Sequence, residues 1–227
     1  MYKHFLKRFF DILLCGFAII FLLPVYFLTA ISIKLSSPGP VFYYSKRTGK
    51  NHKAFKFYKF RSMHVTNKDK GLFVADAERL FAVGKIIRKL KIDELPQLVN
   101  VIIGDMSIVG PRPMPIDSVD KMYYGKYQKI LSITPGLTSA ASLFDYTVGD
   151  TYKDDKAYRK EVLPIKLEME LMYVEHQCFL YDVELVWRTI KTIIQVMFGK
   201  HVFKEQPELA EAKRRVESTE KSKIDGF

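Results

Sequence analysis

Between Ile12 and Ile33 the chain carries no charged side chain, and only Cys, Gly, Thr, Ser and Pro interrupt its apolar residues. As a helix this run would be about 33 Å long, close to the hydrocarbon thickness of a bilayer. It reads as a membrane segment. A cleaved signal peptide has a shorter apolar region and a small-residue cleavage site, whereas this run leads directly into Lys34, so the segment is expected to be retained.

The flanks limit how such a segment can sit. Lys3, Lys7 and Arg8 precede it, and Lys34, Lys46, Arg47, Lys50, Lys53, Lys56, Lys59 and Arg61 follow it with no acidic residue between Lys34 and Arg61. Basic flanks favour the cytoplasm, and one straight span cannot put both ends there. Pro24, near the middle, lacks the N–H that would bond the Ile20 carbonyl and bends a helix. The residues alone leave two arrangements open, a kinked spanning helix and a re-entrant hairpin that turns at Pro24.

Ser36-Ser37-Pro38-Gly39-Pro40 ends the membrane segment. Val41–Tyr44 and Ala54–Phe60 flank a Thr48-Gly49-Lys50-Asn51 turn and read as a short β-hairpin. Asp76–Lys91 reads as a helix, with Leu80, Val83, Ile87 and Leu90 on one stripe. A further helix starts at Leu163-Pro164. Val183, Val186, Trp187, Ile190, Ile193, Ile194 and Met197 then mark a stripe that either lies on a bilayer or covers the core. The organisation expected is an anchor over residues 1–35, a domain over 36–199 and a charged, flexible tail over 200–227. The fold class is α/β but mainly helical. Cys15 and Cys178 suggest neither a disulfide framework nor a zinc site. The formal charge of +11 calls for an anionic partner without saying which.

Candidate chemistry gathers at Lys91-Ile92-Asp93-Glu94-Leu95-Pro96-Gln97-Leu98-Val99-Asn100. Leu95, Leu98, Val99 and Ile102 recur at helical spacing and are expected to face inward, with two carboxylates at the helix mouth. Pro96 suits a first turn. From local pattern alone, helix capping is the commoner reason for an Asp-Glu pair. Arg112, between Pro111 and Pro113, loses little entropy on ordering and suits bidentate phosphate binding.

The wording of the wider stretch is more specific. Asp93-Glu94-Leu95-Pro96-Gln97-Leu98, Gly104-Asp105-Met106-Ser107, Val109-Gly110-Pro111-Arg112-Pro113 and Tyr58-Lys59-Phe60-Arg61-Ser62-Met63 resemble the bacterial sugar transferases, monotopic phosphoglycosyltransferases that begin glycan assembly on a polyprenyl phosphate. The resemblance extends from the apolar N-terminus to about residue 199. It implies a re-entrant helix–break–helix anchor at Pro24 and a small membrane-associated catalytic domain with amphipathic interfacial helices. Such an enzyme works on the cytoplasmic face of the bacterial inner membrane.

The resemblance also implies a reaction. A phosphosugar would pass from a nucleotide (UDP) sugar to undecaprenyl phosphate through a covalent aspartyl intermediate, with release of UMP. Asp93 would be the nucleophile. Glu94 would share with it a Mg²⁺ ion, while Lys59, Arg61, Arg88, Gln97, Arg112 and Thr138 would contact substrate. Thr138 closes a Pro-Gly-x-Thr element, after which Ser139-Ala140 replaces the family's usual Gly-Leu. The tail leaves room for a partner, a homodimer included. The competing class is a membrane-tethered basic module without catalysis, although no nucleic-acid-binding motif is present.

Overall fold

The computed structural model describes residues 2–65, 79–148, 155–199 and 203–224. A π-helical turn, Tyr2–Leu6, opens into α1, Lys7–Ser36. The expected hairpin β1, Phe42–Thr48, and β2, Ala54–Phe60, is antiparallel and pairs Phe42 with Phe60 and Thr48 with Ala54. Next come α2, Ala82–Lys89, a 3₁₀ turn at Ile92–Glu94, and α3, Gln97–Ile103. Residues 76–78 of the helix expected over 76–91 lie outside the described residues. Strand β3, Ser107–Val109, runs parallel to β4, Gly136–Thr138, with α4, Ile116–Met122, and a 3₁₀ stretch, Gly125–Ser132, between them. The remaining helices are α5, Ala140–Thr147; α6, Leu163–His176; α7, Phe179–Met197; and α8, Leu209–Ile224. The architecture is mainly helical with the expected hairpin, and it adds a second, parallel two-stranded sheet that the sequence pattern did not predict.

Helix α6 supplies the centre of the core. Met169 and Tyr173 are fully buried against Phe144, Leu185 and Val109, and Leu167 and Leu171 face Tyr127 and Ile130. Leu209 and Ala212 of α8 are buried in the same cluster. Residues 209–224 are therefore a packed helix where charge had suggested a flexible tail. Arg188 fixes its start by a two-point ion pair to Glu208 (2.7 and 2.9 Å), a bond between segments that composition does not reveal.

Helix α1 departs most from expectation. Instead of breaking, its helical geometry continues through Pro24, whose side chain is exposed. The reason lies in how it is held. Lys7, Asp11, Cys15, Thr29 and Ile33 are its buried residues, spaced so that one stripe rests on the domain. At the N-terminal end Lys7 pairs with Asp182 of α7 at 2.5 Å, Arg8 donates to the carbonyls of Val101 and Ile102, and Asp11 accepts the Ile108 N–H at 3.0 Å. Further along, the Tyr26 hydroxyl donates to the Leu95 carbonyl at 2.6 Å, and Ile33 packs with Phe60, Phe81 and Ile87. Contacts from residue 7 to residue 33 cover roughly 39 Å of helix. Both ends thus lie on one domain.

The rest of α1 faces outward. Phe17, Ile20, Phe21, Phe27, Leu28 and Leu35 are each more than 60% exposed. Burying such residues is worth roughly 1.5–3 kcal/mol apiece, so these six alone rival the whole stability of a domain. That face is left uncovered by the described residues. Helix α3 adds to it and meets the expected pattern only in part: Leu95, just before it, and Leu98 pack inward, whereas Val99 and Ile102 face out. Gln97, Asn100 and Val101 are buried, while Val99, Ile102 and Ile103 are exposed. The cause is Asn100, whose amide accepts the Tyr58 N–H at 3.1 Å and donates to the Lys56 carbonyl at 2.7 Å, completing the free edge of β2. Similarly, Val183, Trp187, Ile190, Ile194 and Met197 of α7 stand exposed rather than covering the core.

Substituting Lys7 by Met leaves the Asp182 carboxylate buried without its cation, and such losses cost about 3–5 kcal/mol. Thermal unfolding in detergent followed by circular dichroism should show Lys7→Met strongly destabilised. The double variant Lys7→Met/Asp182→Asn should recover most of the loss; equal destabilisation of the two would mean that the pair does not hold α1.

Candidate active site

Asp93 and Glu94 sit in the 3₁₀ turn Ile92–Glu94 rather than in the first turn of a regular helix. Lys91 enters that turn in the left-handed region, at φ 57°. Pro96 caps α3 with a helix-compatible φ of −59°, the role its missing N–H allows. Strand β2 brings Lys59 against the turn, and the segment after β3 brings Arg112 from the other side.

That segment is positioned by backbone fit. A Cβ on Gly136 would lie 2.1 Å from the Gly110 nitrogen, so no side chain can enter where β3 and β4 cross. Gly110 donates to the Thr138 carbonyl and Gly136 to the Pro111 carbonyl, at 2.9 and 2.8 Å. Glu170, buried in α6, then accepts the Arg112 N–H at 3.3 Å and the Tyr123 hydroxyl at 2.7 Å. Arg112 is held by its main chain, which leaves its guanidinium to act.

Arg112 Nη2 donates to Glu94 Oε1 at 2.9 Å, and Lys59 Nζ donates to the same oxygen at 3.1 Å. Lys59 lies farther from Asp93 Oδ2, at 3.5 Å. Asp93 is buried, and its Oδ1 has no hydrogen-bond partner among the described residues. The two neighbouring carboxylates consequently differ. Burial would raise the pKa of Glu94, but Arg112 and then Lys59 hold it far below the usual carboxylate range. For Asp93 burial prevails and pushes the pKa up, with the Glu94 charge adding to it and Lys59 opposing. Environments that drive two carboxylates apart assign them different tasks. Glu94 is the fixed counter-ion of two cations, and Asp93 is the more basic oxygen with a lone pair to spare.

Of the residues expected to contact substrate, Lys59 and Arg112 meet at the dyad. Gln97 is buried one turn beyond it, with Nε2 unpartnered among the described residues. Arg88 is half-buried in the last turn of α2, where its carbonyl accepts the Lys91 N–H. Two others go elsewhere. The Arg61 guanidinium is buried, donates to the Ser37 and Pro38 carbonyls at 2.6 Å each, and lies over the Phe81 ring, so it ties down the chain leaving α1. Thr138 shares a 2.6 Å hydrogen bond with Thr189 of α7 and joins β4 to that helix. Residue-type reasoning missed Glu170 and Asp145. Glu170 lies in the helix expected to start at Leu163-Pro164, where nothing in the sequence marks its partner. Asp145 of α5 is held by Lys166 and the Tyr158 hydroxyl, each at 2.6 Å, and its charge acts on Arg112.

A fold of this kind around an acidic dyad and two cations defines a class. A family description, bacterial sugar transferase, matches residues 2–196, and the chain belongs to that family. Among its relatives, the UDP-N-acetylgalactosamine-undecaprenyl-phosphate N-acetylgalactosaminephosphotransferase of Aeromonas hydrophila is 39% identical over 196 residues, which are 84% of this chain and 44% of the relative. The uncharacterized sugar transferase EpsL of Bacillus subtilis (strain 168) is 34% identical over 83% of this chain and 87% of its own length. The UDP-glucose:undecaprenyl-phosphate glucose-1-phosphate transferase of Escherichia coli (strain K12) is 34% identical over 83% of this chain and 40% of its own. The chain thus spans less than half of the first and third of these relatives and most of the second.

Because Asp93 is buried with its folded-state pKa raised, the fold favours its neutral form. At neutral pH the ionised carboxylate lowers stability, and Asp93→Asn should raise the melting temperature. A shift of roughly 2–4 °C would correspond to about 1 kcal/mol in a chain of this size. The advantage should shrink as pH falls through the folded-state pKa, where Asp93 itself becomes neutral. A variant less stable than the parent at neutral pH would make Asp93 a structural cap.

Proposed function

We propose that this protein transfers a phosphosugar from a UDP-sugar to undecaprenyl phosphate through a covalent intermediate on Asp93. The observation that carries the reading is the asymmetry of the dyad: Glu94 Oε1 accepts from both Arg112 and Lys59, while Asp93 Oδ1 is buried and unpartnered among the described residues. An Asp93 oxygen attacks the β-phosphorus, which bears the sugar. The bond from that phosphorus to the bridging oxygen breaks, and UMP leaves with the electron pair. An oxygen of the lipid phosphate then attacks the aspartyl phosphosugar, the phosphorus–Asp93 bond breaks, and the carboxylate returns. Arg112 and Lys59 stabilise charge on the phosphoryl oxygens, acting from positions fixed before substrate arrives. With no group of three His, Cys, Asp or Glu side chains suited to a metal among the described residues, a cation here would rely on substrate phosphate oxygens. The orphaned Asp93 oxygen and the adjacent Glu94 fit Mg²⁺ in that manner. Bound there, Mg²⁺ would offset the negative charge of two approaching anions.

The outward apolar faces of α1, α3 and α7 would rest in the cytoplasmic leaflet of the bacterial inner membrane. Docking of α1 at both ends would keep its basic flanks on the domain's side, so that the unbroken helix rests on one face of the membrane without crossing it. The phosphate of a lipid acceptor would meet Asp93 at that boundary.

The test is incubation with a panel of UDP-sugars and undecaprenyl phosphate in Mg²⁺ buffer, following UMP. The unmodified protein should release UMP, and Asp93→Asn, an isosteric but far poorer nucleophile, should lower the rate by at least a thousandfold. Retained turnover in Asp93→Asn would end the covalent mechanism, and release from no donor would favour a non-catalytic module. Topology is checked separately: in a Cys-free variant, single cysteines at positions 3 and 46 should both resist an impermeant thiol reagent outside intact cells and react once the inner membrane is opened. Labelling of position 3 from outside would establish a true span.

A further inference from the structure

The hairpin carries a cation that the proposed chemistry has not used. Arg47, near the end of β1, is half-buried, and among the described residues its one side-chain hydrogen bond is a long one from Nε to Ser45 Oγ at 3.4 Å. Among the described residues it has no carboxylate partner. Its guanidinium carbon lies 5.5 Å from the centre of the Phe57 ring, and the same ring seats Lys59 Nζ at 5.5 Å. Arg47 therefore stands beside the lysine that bonds Asp93 and Glu94. The backbone brings it to the other side of the site as well. Arg47 bridges Pro115, and Thr48 donates to the Met114 carbonyl at 2.9 Å, so β1 is fastened to the segment that carries Arg112.

Two guanidinium groups are thus brought close with one carboxylate, Glu94, and Arg112 has taken it. An arginine removed from water and placed near a like charge is stabilised only when an anion arrives. The Arg47 pKa moves accordingly: burial and then the Arg112 charge push it down, and the Glu94 charge offsets them only in part. A structural arginine would be paired, as Arg61 is with two carbonyls and Arg188 with Glu208. We propose that Arg47 is a substrate-positioning residue that binds the diphosphate of the nucleotide-sugar donor together with Arg112. This rests on the transferase reading and adds to it a second guanidinium, so that a two-phosphate group bridges two forks while Lys59 stays with the dyad.

The experiment uses the full chain in detergent micelles and measures binding of UDP and of inorganic pyrophosphate by calorimetry. Arg47→Met keeps the aliphatic packing on Phe57 and removes the charge. It should weaken both ligands at least tenfold, and Arg47→Lys, which keeps charge without the fork, should fall between. On the unmodified protein, phenylglyoxal modification at Arg47, read by mass spectrometry, should slow in the presence of UDP and of pyrophosphate, which decides the matter if a variant does not fold. Unchanged affinities in Arg47→Met, a loss confined to UDP, or no protection of Arg47 would overturn the assignment. If the unmodified protein releases UMP in the donor assay while these outcomes hold, the transferase reading stands without Arg47. Neither binding nor release by the unmodified protein would bring down both.

Discussion

The site depends on Glu94 Oε1 accepting from Arg112 and Lys59 at once. That oxygen joins three parts of the chain, the segment after β3, strand β2 and the 3₁₀ turn, and it sets the difference between two adjacent carboxylates. Were the cations shared evenly, both acids would titrate alike and neither would stand apart as a base. Because Glu94 takes them, Asp93 is left desolvated and more basic. The surrounding elements serve this arrangement: Glu170 and Tyr123 hold the Arg112 main chain, the Gly110–Gly136 contact fixes where that chain passes, and Asn100 locks β2 to the helix that follows the dyad.

Much of this was readable before any coordinates. Asp93, Glu94, Lys59 and Arg112 lie in short blocks whose residue types state their chemistry, and the structure gathers all four. The β-hairpin was also legible, since strand-forming residues flank a recognisable turn. Arg61 and Thr138 were misplaced because a side chain's partner is a tertiary fact: the carbonyls of Ser37 and Pro38 and the hydroxyl of Thr189 are not adjacent to them in sequence. The error over α3 has another origin. Apolar periodicity places Leu95 and Leu98 inward correctly, but it does not reveal which polar residue must turn inward beside them. In α3 the polar Asn100 is the inward residue because it satisfies a strand edge, and Val99, Ile102 and Ile103 face away. The break expected at Pro24 failed for a related reason. One missing backbone hydrogen bond weakens a helix locally, but anchors at both ends outweigh it.

The anchor of this protein is therefore part of the domain. Lys7, Arg8 and Asp11 are polar residues at the edge of an apolar helix, and each bonds a different element: α7, α3 and β3. Removing the helix would strand Asp182 and uncover the apolar cluster around Phe60 and Ile87. The apolar helix and the site share one core, so the position of α1 relative to Asp93 is fixed by packing.

The pairing of Lys7 with Asp182 also orders events in time. Its two members are separated by 175 positions, and a ribosome adding about 5–20 residues per second needs roughly 9–35 seconds to make the second after the first. Through that interval α1 exists with Lys7 unmatched and its apolar face uncovered. Asp11 meets the Ile108 N–H earlier, and the contact at Lys7 closes only when α7 arrives. The domain is thus assembled around a helix already in place.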